Sequence, residues 1–111
     1  MFYILEDGTI KLTRGDTARI AVSITDDTGD EQYVIQDNDT LTMTVKKTVR
    51  DRDFAFQKVV TGDNKFHVLP SDTCGLSFGK YLYDVQLTTA SGDVYTVIGP
   101  CTFELLQEVT Y

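Results

Sequence analysis

Catalysis in this chain would have to be assembled around one histidine, His67, and two thiols, Cys74 and Cys101. A general base needs a nucleophile or an acid within hydrogen-bond reach, and a motif that brings it there. His67 instead sits inside the alternating stretch Phe66-His67-Val68-Leu69 with no such motif beside it. A structural or solvent-facing histidine is therefore expected, and not an enzyme. Cys74 and Cys101 lack the second ligand pair that a structural zinc site requires. Gly8, Gly15 and Gly79 fall in neither of the glycine patterns that cradle phosphates. The acidic run Asp26-Asp27-Thr28-Gly29-Asp30-Glu31 offers hard oxygen ligands of the type calcium takes, but its spacing is not that of an EF-hand loop. A hydrated turn accounts for it better, and the alternating charges of Arg50-Asp51-Arg52-Asp53 read as a solvated loop. No metal, cofactor or small-molecule substrate is expected.

The elements that would position any site follow from composition and periodicity. Of 111 residues, 17 are acidic and 10 basic, a net charge of −7 that repels phosphate backbones and argues against nucleic acid as a partner. Lys46, Lys47, Arg50 and Arg52 form the one basic cluster. The opening residues Met1 to Asp7 have no basic region and turn acidic where a signal peptide stays apolar, so export by that route is not expected. No apolar run approaches the roughly 20 residues that span a bilayer, so no membrane partner is expected either. In such a chain Cys74 and Cys101 are expected as reduced thiols.

Apolar residues recur with period 2 and almost nowhere with helical spacing, which predicts an all-β chain. Ile20, Val22, Ile24 and Leu41, Met43, Val45 are the clearest strands, and further ones fall at Ile10 to Leu12, Tyr33 to Ile35, Phe54 to Val60, Phe66 to Leu69, Tyr81 to Leu87 and Val94 to Leu105. Turns are predicted at 26–30, 62–64 and 91–93, where Gly, Asn and Asp supply the necessary backbone freedom. Pro70-Ser71-Asp72-Thr73 predicts the one helical turn, ended by Gly75. Residues 1–111 are thus expected to form a single two-sheet antiparallel β-sandwich of about seven strands. Its expected core is Leu12, Ile20, Val22, Ile24, Leu41, Met43, Val45, Phe56, Val68, Tyr83, Val85, Leu87, Val97, Phe103 and Leu105.

Tyr81, at the start of a strand and just after the corner that contains Asp72, has the position of the tyrosine corner of immunoglobulin-like sandwiches. Its hydroxyl is expected to bond backbone between Pro70 and Gly75; a surface tyrosine ladder through Tyr81 and Tyr83 is the plainer alternative. The usual inter-sheet disulfide is missing, with Tyr83 and Val22 in the corresponding places.

The chain resembles the small immunoglobulin-like domains of tail and baseplate proteins from phages and prophages of Gram-positive bacteria, the N-terminal domain of the baseplate upper protein being the nearest type. The resemblance rests on Leu12-Thr13-Arg14-Gly15-Asp16-Thr17, Leu69-Pro70-Ser71-Asp72-Thr73, Gly79 to Leu87, Thr96-Val97-Ile98-Gly99 and Phe103-Glu104-Leu105. It implies an immunoglobulin-like fold and a non-enzymatic building block of a virion, present in the bacterial cytoplasm before assembly, with other phage subunits or its own copies as partners. Baseplate upper proteins continue beyond this domain, so either a free-standing copy or one domain of a longer protein is expected. A carbohydrate- or receptor-binding module of a phage tail is the alternative, although the chain has no Trp for a sugar platform.

A partner contact is predicted from the phase of the last hairpin. With a three-residue loop at Ser91-Gly92-Asp93, the odd positions Val97, Cys101, Phe103 and Leu105 share the inner face with Tyr83, Val85 and Leu87. That leaves Leu82, Val94 and Ile98 as an apolar strip on the outer face. A two-residue loop would instead demand a bulge at Gly99-Pro100.

Overall fold

A computed structural model describes residues 2–4, 8–24 and 33–107. The strands are β1 (Phe2–Ile4), β2 (Ile10–Thr13), β3 (Ala18–Ala21), β4 (Thr40–Lys46), β5 (Phe56–Thr61), β6 (Lys65–Val68), β7 (Gly79–Thr88) and β8 (Val94–Leu106), with one short helix, α1 (Pro70–Thr73), before β7. The all-β expectation holds. Six strands form one sheet in the order β1-β2-β8-β7-β4-β5, and β3 pairs with β6 in a second, smaller sheet.

The larger sheet is mixed, which corrects the antiparallel expectation. β2 runs parallel to β8, with Ile10 opposite Phe103 and Leu12 opposite Leu105, while the other pairs are antiparallel. Alternating hydropathy reports which face a side chain takes and carries no information about strand direction. The inner residues of both sheets form one core, in which Ile20, Phe66 and Val68 from the small sheet join Met43, Val85 and Phe103 from the large one. The Phe103 ring meets Phe56 and Tyr83 edge-on, at centroid distances of 5.6 and 6.2 Å. Such geometry sets the positive ring edge against the negative face.

Of the expected core, Val97 alone is not fully buried, while Ile10, Ala18, Phe66 and Tyr81 join it. Val22 and Ile24 are buried as expected but lie beyond the end of β3, tied by single backbone bonds from Val22 N–H to Asn64 C=O (2.9 Å) and from Tyr33 N–H to Ile24 C=O (2.7 Å). Tyr33 to Ile35 is not a strand either. The acidic turn at 26–31, and with it the calcium reading, lies outside the described residues.

The corner before β7 is built as a capped turn. Asp72 accepts the Leu69 N–H at 2.7 Å and pairs with Lys58 Nζ at 2.8 Å, so one carboxylate caps α1 and clips it to β5. Thr73 is fully buried and its Oγ1 accepts the Gly15 N–H at 2.9 Å, which ties the β2–β3 turn to the same corner. Tyr81 donates its hydroxyl proton to the Ser77 carbonyl at 2.7 Å. The acceptor thus lies four residues upstream, outside the expected Pro70 to Gly75 segment, in which the Pro70 and Thr73 carbonyls already accept from Cys74 N–H and Leu76 N–H.

The β7–β8 hairpin closes through Thr89 N–H to Asp93 C=O and Gly92 N–H to Thr89 C=O, both 2.9 Å, leaving residues 90–92 as a three-residue loop. Gly92 has φ +92°, the left-handed conformation such a loop needs. Parity therefore starts as expected, with Leu87 opposite Tyr95. Two register shifts follow, so that Val85 faces Ile98 and Tyr83 faces Cys101. Each adds one residue to β8, the second at Gly99-Pro100, where proline has no N–H to give a ladder. The predicted outer strip is corrected accordingly. Ile98 sits opposite the inward Val85 and packs against the core, leaving only Leu82 and Val94 on the outer face.

Candidate functional site

The outward face of the large sheet is where the fold displays side chains it does not need for its core. Along β4 the outward positions are Thr40, Thr42 and Thr44, alternating with the buried Leu41, Met43 and Val45. Their neighbours on β5 are Thr61, Val59 and Gln57, and on β7 they are Thr88, Gln86 and Asp84. Beyond β7, Thr96 stands opposite Gln86 and Val94 opposite Thr88. Thr40 and Thr61 approach hydroxyl to hydroxyl at 3.3 Å, and Gln57 Nε2 donates to Thr44 Oγ1 at 2.8 Å. Cross-strand pairs of this type stiffen a sheet surface while leaving it polar.

Toward the end of β4 this face becomes a groove of about 410 Å³. Thr44, Gln57, Leu82, Asp84 and Gln86 form its floor, and Val49, Arg52 and Phe54 from the β4–β5 connection form its wall. Asp51 holds that connection by accepting the Thr48 N–H at 3.2 Å, and Ala55 N–H returns to Val45 C=O at 2.6 Å. Val49 and Phe54 are left 62% and 52% exposed. Lys47 swings away from the groove to lie over the Tyr81 ring, 4.7 Å from its centroid.

Of the predicted contact residues, Leu82 is half-buried in the groove and Val94 is 57% exposed, but they pair at opposite ends of β7, about 20 Å apart along the strand. Ile98 faces a second cleft, about 320 Å³ in volume, between the sheets beside Ile20, Met43 and Cys101. The three do not form one strip. Asp72 caps α1, and Tyr81 bonds the Ser77 carbonyl in the connection from α1 to β7. Partial burial would raise the Asp72 carboxyl, but the Lys58 ammonium and the Leu69 N–H outweigh it and hold the group below its usual range.

His67 points outward on β6 opposite Arg19. Cys74 is an exposed thiol at the corner and Cys101 a half-buried one on β8. Among the described residues, no three His, Cys, Asp or Glu side chains gather as they would around a metal ion, and no helix is long and apolar enough to cross a membrane. The threonine-lined face was visible as the alternation at 40, 42 and 44, and the groove wall was hidden in a stretch whose charges suggested only a solvated loop. At the other end of β4, Asp39 is buried and accepts from the Tyr33 hydroxyl and, at 2.9 Å, from the Gln36 N–H. The hydrogen bond to Asp39, with burial second, raises the Tyr33 hydroxyl pKa. Comparison with protein-family models, with curated proteins and with solved structures finds no match for this chain.

Proposed function

We propose that this chain is a non-enzymatic assembly module of a phage or prophage particle, an immunoglobulin-like sandwich that joins other subunits through the outward face of its large sheet. The fold half of that reading is supported by the strand arrangement. β3 and β6 form one sheet, β4, β7 and β8 lie side by side in the other, and a tyrosine at the start of β7 returns its hydroxyl to backbone four residues upstream. Those are features of immunoglobulin-like domains.

The observation that carries the functional half is the lack of charge at the centre of the outward face. Thr40, Thr42, Thr88, Gln86, Val59 and Thr96 sit side by side on four neighbouring strands, in a protein where 24% of residues are charged. Protein interfaces are distinguished by depletion of charge at their core more than by bulk hydrophobicity. A threonine-rich sheet surface also loses little side-chain entropy on docking, since threonine has few rotamers to surrender.

The test is particle association. The tagged chain, expressed during induction of a prophage-bearing host, should co-sediment with particles on a density gradient. The Thr42→Asp, Val59→Asp double variant should remain folded and stay in the unsedimented fraction. A parent chain that never sediments with particles, or a double variant that sediments like the parent, overturns the reading.

A further inference from the structure

We propose that the groove at the end of β4 is a binding site for an acidic saccharide, a sugar carrying a carboxylate. This goes beyond the assembly role, and of the assembly-face residues named above only Gln86 also lines the groove. The first observation is shape. A concave site of about 410 Å³ falls in the range of small-molecule sites, and it is built by four strands and a pinned loop.

The second observation is the chemistry of the floor. Gln57, Gln86 and Thr44 can each donate and accept, and Asp84 accepts. A polyol is the ligand class that matches this set, because every hydroxyl both donates and accepts. Gln57 is already oriented, its Nε2 committed to Thr44 Oγ1 at 2.8 Å, which turns its carbonyl oxygen into the acceptor offered to a ligand. Phe54 supplies what the absence of Trp suggested was missing. Its ring stands half-exposed in the groove wall, where the C–H face of a pyranose ring can stack.

The third observation is charge. The protein carries −7 overall, yet Lys46 and Arg52 both line this groove against the single carboxylate of Asp84. A local positive excess on an acidic protein selects an anionic group, and the planar guanidinium of Arg52 suits a carboxylate in bidentate contact. A nucleic-acid strand would bring its phosphates against the acidic remainder of the surface.

Tri-galacturonate, a glucuronate-terminated disaccharide and sialyllactose, each with a neutral counterpart of the same length, are titrated into the full chain by calorimetry and by amide-shift NMR. At least one acidic probe should saturate, should bind roughly tenfold more tightly than its neutral counterpart, and should weaken as salt is added. Shifts should map to Gln57, Asp84, Gln86 and Phe54. Arg52→Gln and Phe54→Ala, both at exposed positions, should melt like the parent and each lose roughly tenfold in affinity. The proposal is overturned if no acidic probe saturates at about 10 mM, if the neutral sugars bind equally, or if both variants bind as the parent does. Thr42 and Val59 are untouched in these variants, so particle association reports on the assembly reading independently.

Discussion

The phenol of Tyr83, on a central strand, donates its proton to the backbone carbonyl of Gly8, 75 positions earlier in the chain. The bond pins the approach to β2 against the inner face of β7. Tyr83→Phe should cost about 1 kcal/mol, rising toward 3 kcal/mol if the Gly8 carbonyl is left without a partner, as read by urea denaturation. Gly8 itself has φ +89°, and an added Cβ would lie 3.0 Å from Cys101 Sγ. Gly8→Ala should therefore cost about 1–3 kcal/mol through backbone strain, with the contact to Cys101 adding to it.

Tyr81→Phe removes the bond to Ser77 while keeping the ring in the core. A loss of about 1 kcal/mol, or roughly 4 °C in Tm for a domain of this size, is expected in a thermal melt. A variant that melts with the parent would show that the corner bond contributes nothing net.

The Asp72–Lys58 clip gives stability a dependence on acid. The folded-state pKa of Asp72 is lowered, so the folded chain binds fewer protons here than the unfolded one. Its contribution is fully present above the ordinary carboxyl value of 3.8 and is lost as pH falls below that through the lowered folded-state pKa. Asp72→Asn should melt lower than the parent at neutral pH, and the difference should shrink on acidification. Tyr33 works in the opposite direction, since its raised pKa makes its contribution present below pH 10.0 and lost as pH rises beyond it.

The two register shifts in β8 predict different outcomes for residues that alternation had placed together. Ile98→Asp puts a carboxylate against the core beside Val85 and should cost more than about 1 kcal/mol. Val94→Asp, on the outer face, should change stability by less than about 0.5 kcal/mol. Equal melting of both variants would contradict the register.

Those shifts also mark the limit of what the chain discloses by itself. The alternation in Leu41-Thr42-Met43-Thr44-Val45 displays both faces of β4 plainly, because every second side chain must leave water. The turn at Pro70 and the role of Asp72 in it are equally plain, since proline and a capping carboxylate act over three or four residues. Ile98 could not be placed that way. Its face depends on extra residues inserted opposite the neighbouring strand β7, and Gly99-Pro100 is only one of several places where such an insertion would be tolerated. The groove eluded sequence reasoning for a related reason. Phe54 and Arg52 belong to it because the bonds from Thr48 N–H to Asp51 and from Ala55 N–H to Val45 fold the connection back over β4, and isolated bonds of this kind leave no periodic trace. The direction of β2 against β8 is not encoded in hydropathy at all.

That parallel contact has a consequence for the order in which the chain is completed. Hairpins such as β4–β5 and β7–β8 join neighbours and can form as soon as both strands exist. β2 has no such neighbour on its β8 side, where Ile10 must wait for Phe103. During synthesis this is a wait of about ninety residues, or several seconds at roughly 5–20 residues per second. Through that interval Ile10 and Leu12, both buried in the finished protein, stand on a strand covered on one edge only. An alternating apolar strand left in that condition is a template for pairing with other chains. The last strand therefore does more than complete a sheet: its arrival ends the period in which a nascent copy can be captured by its neighbours on the ribosome.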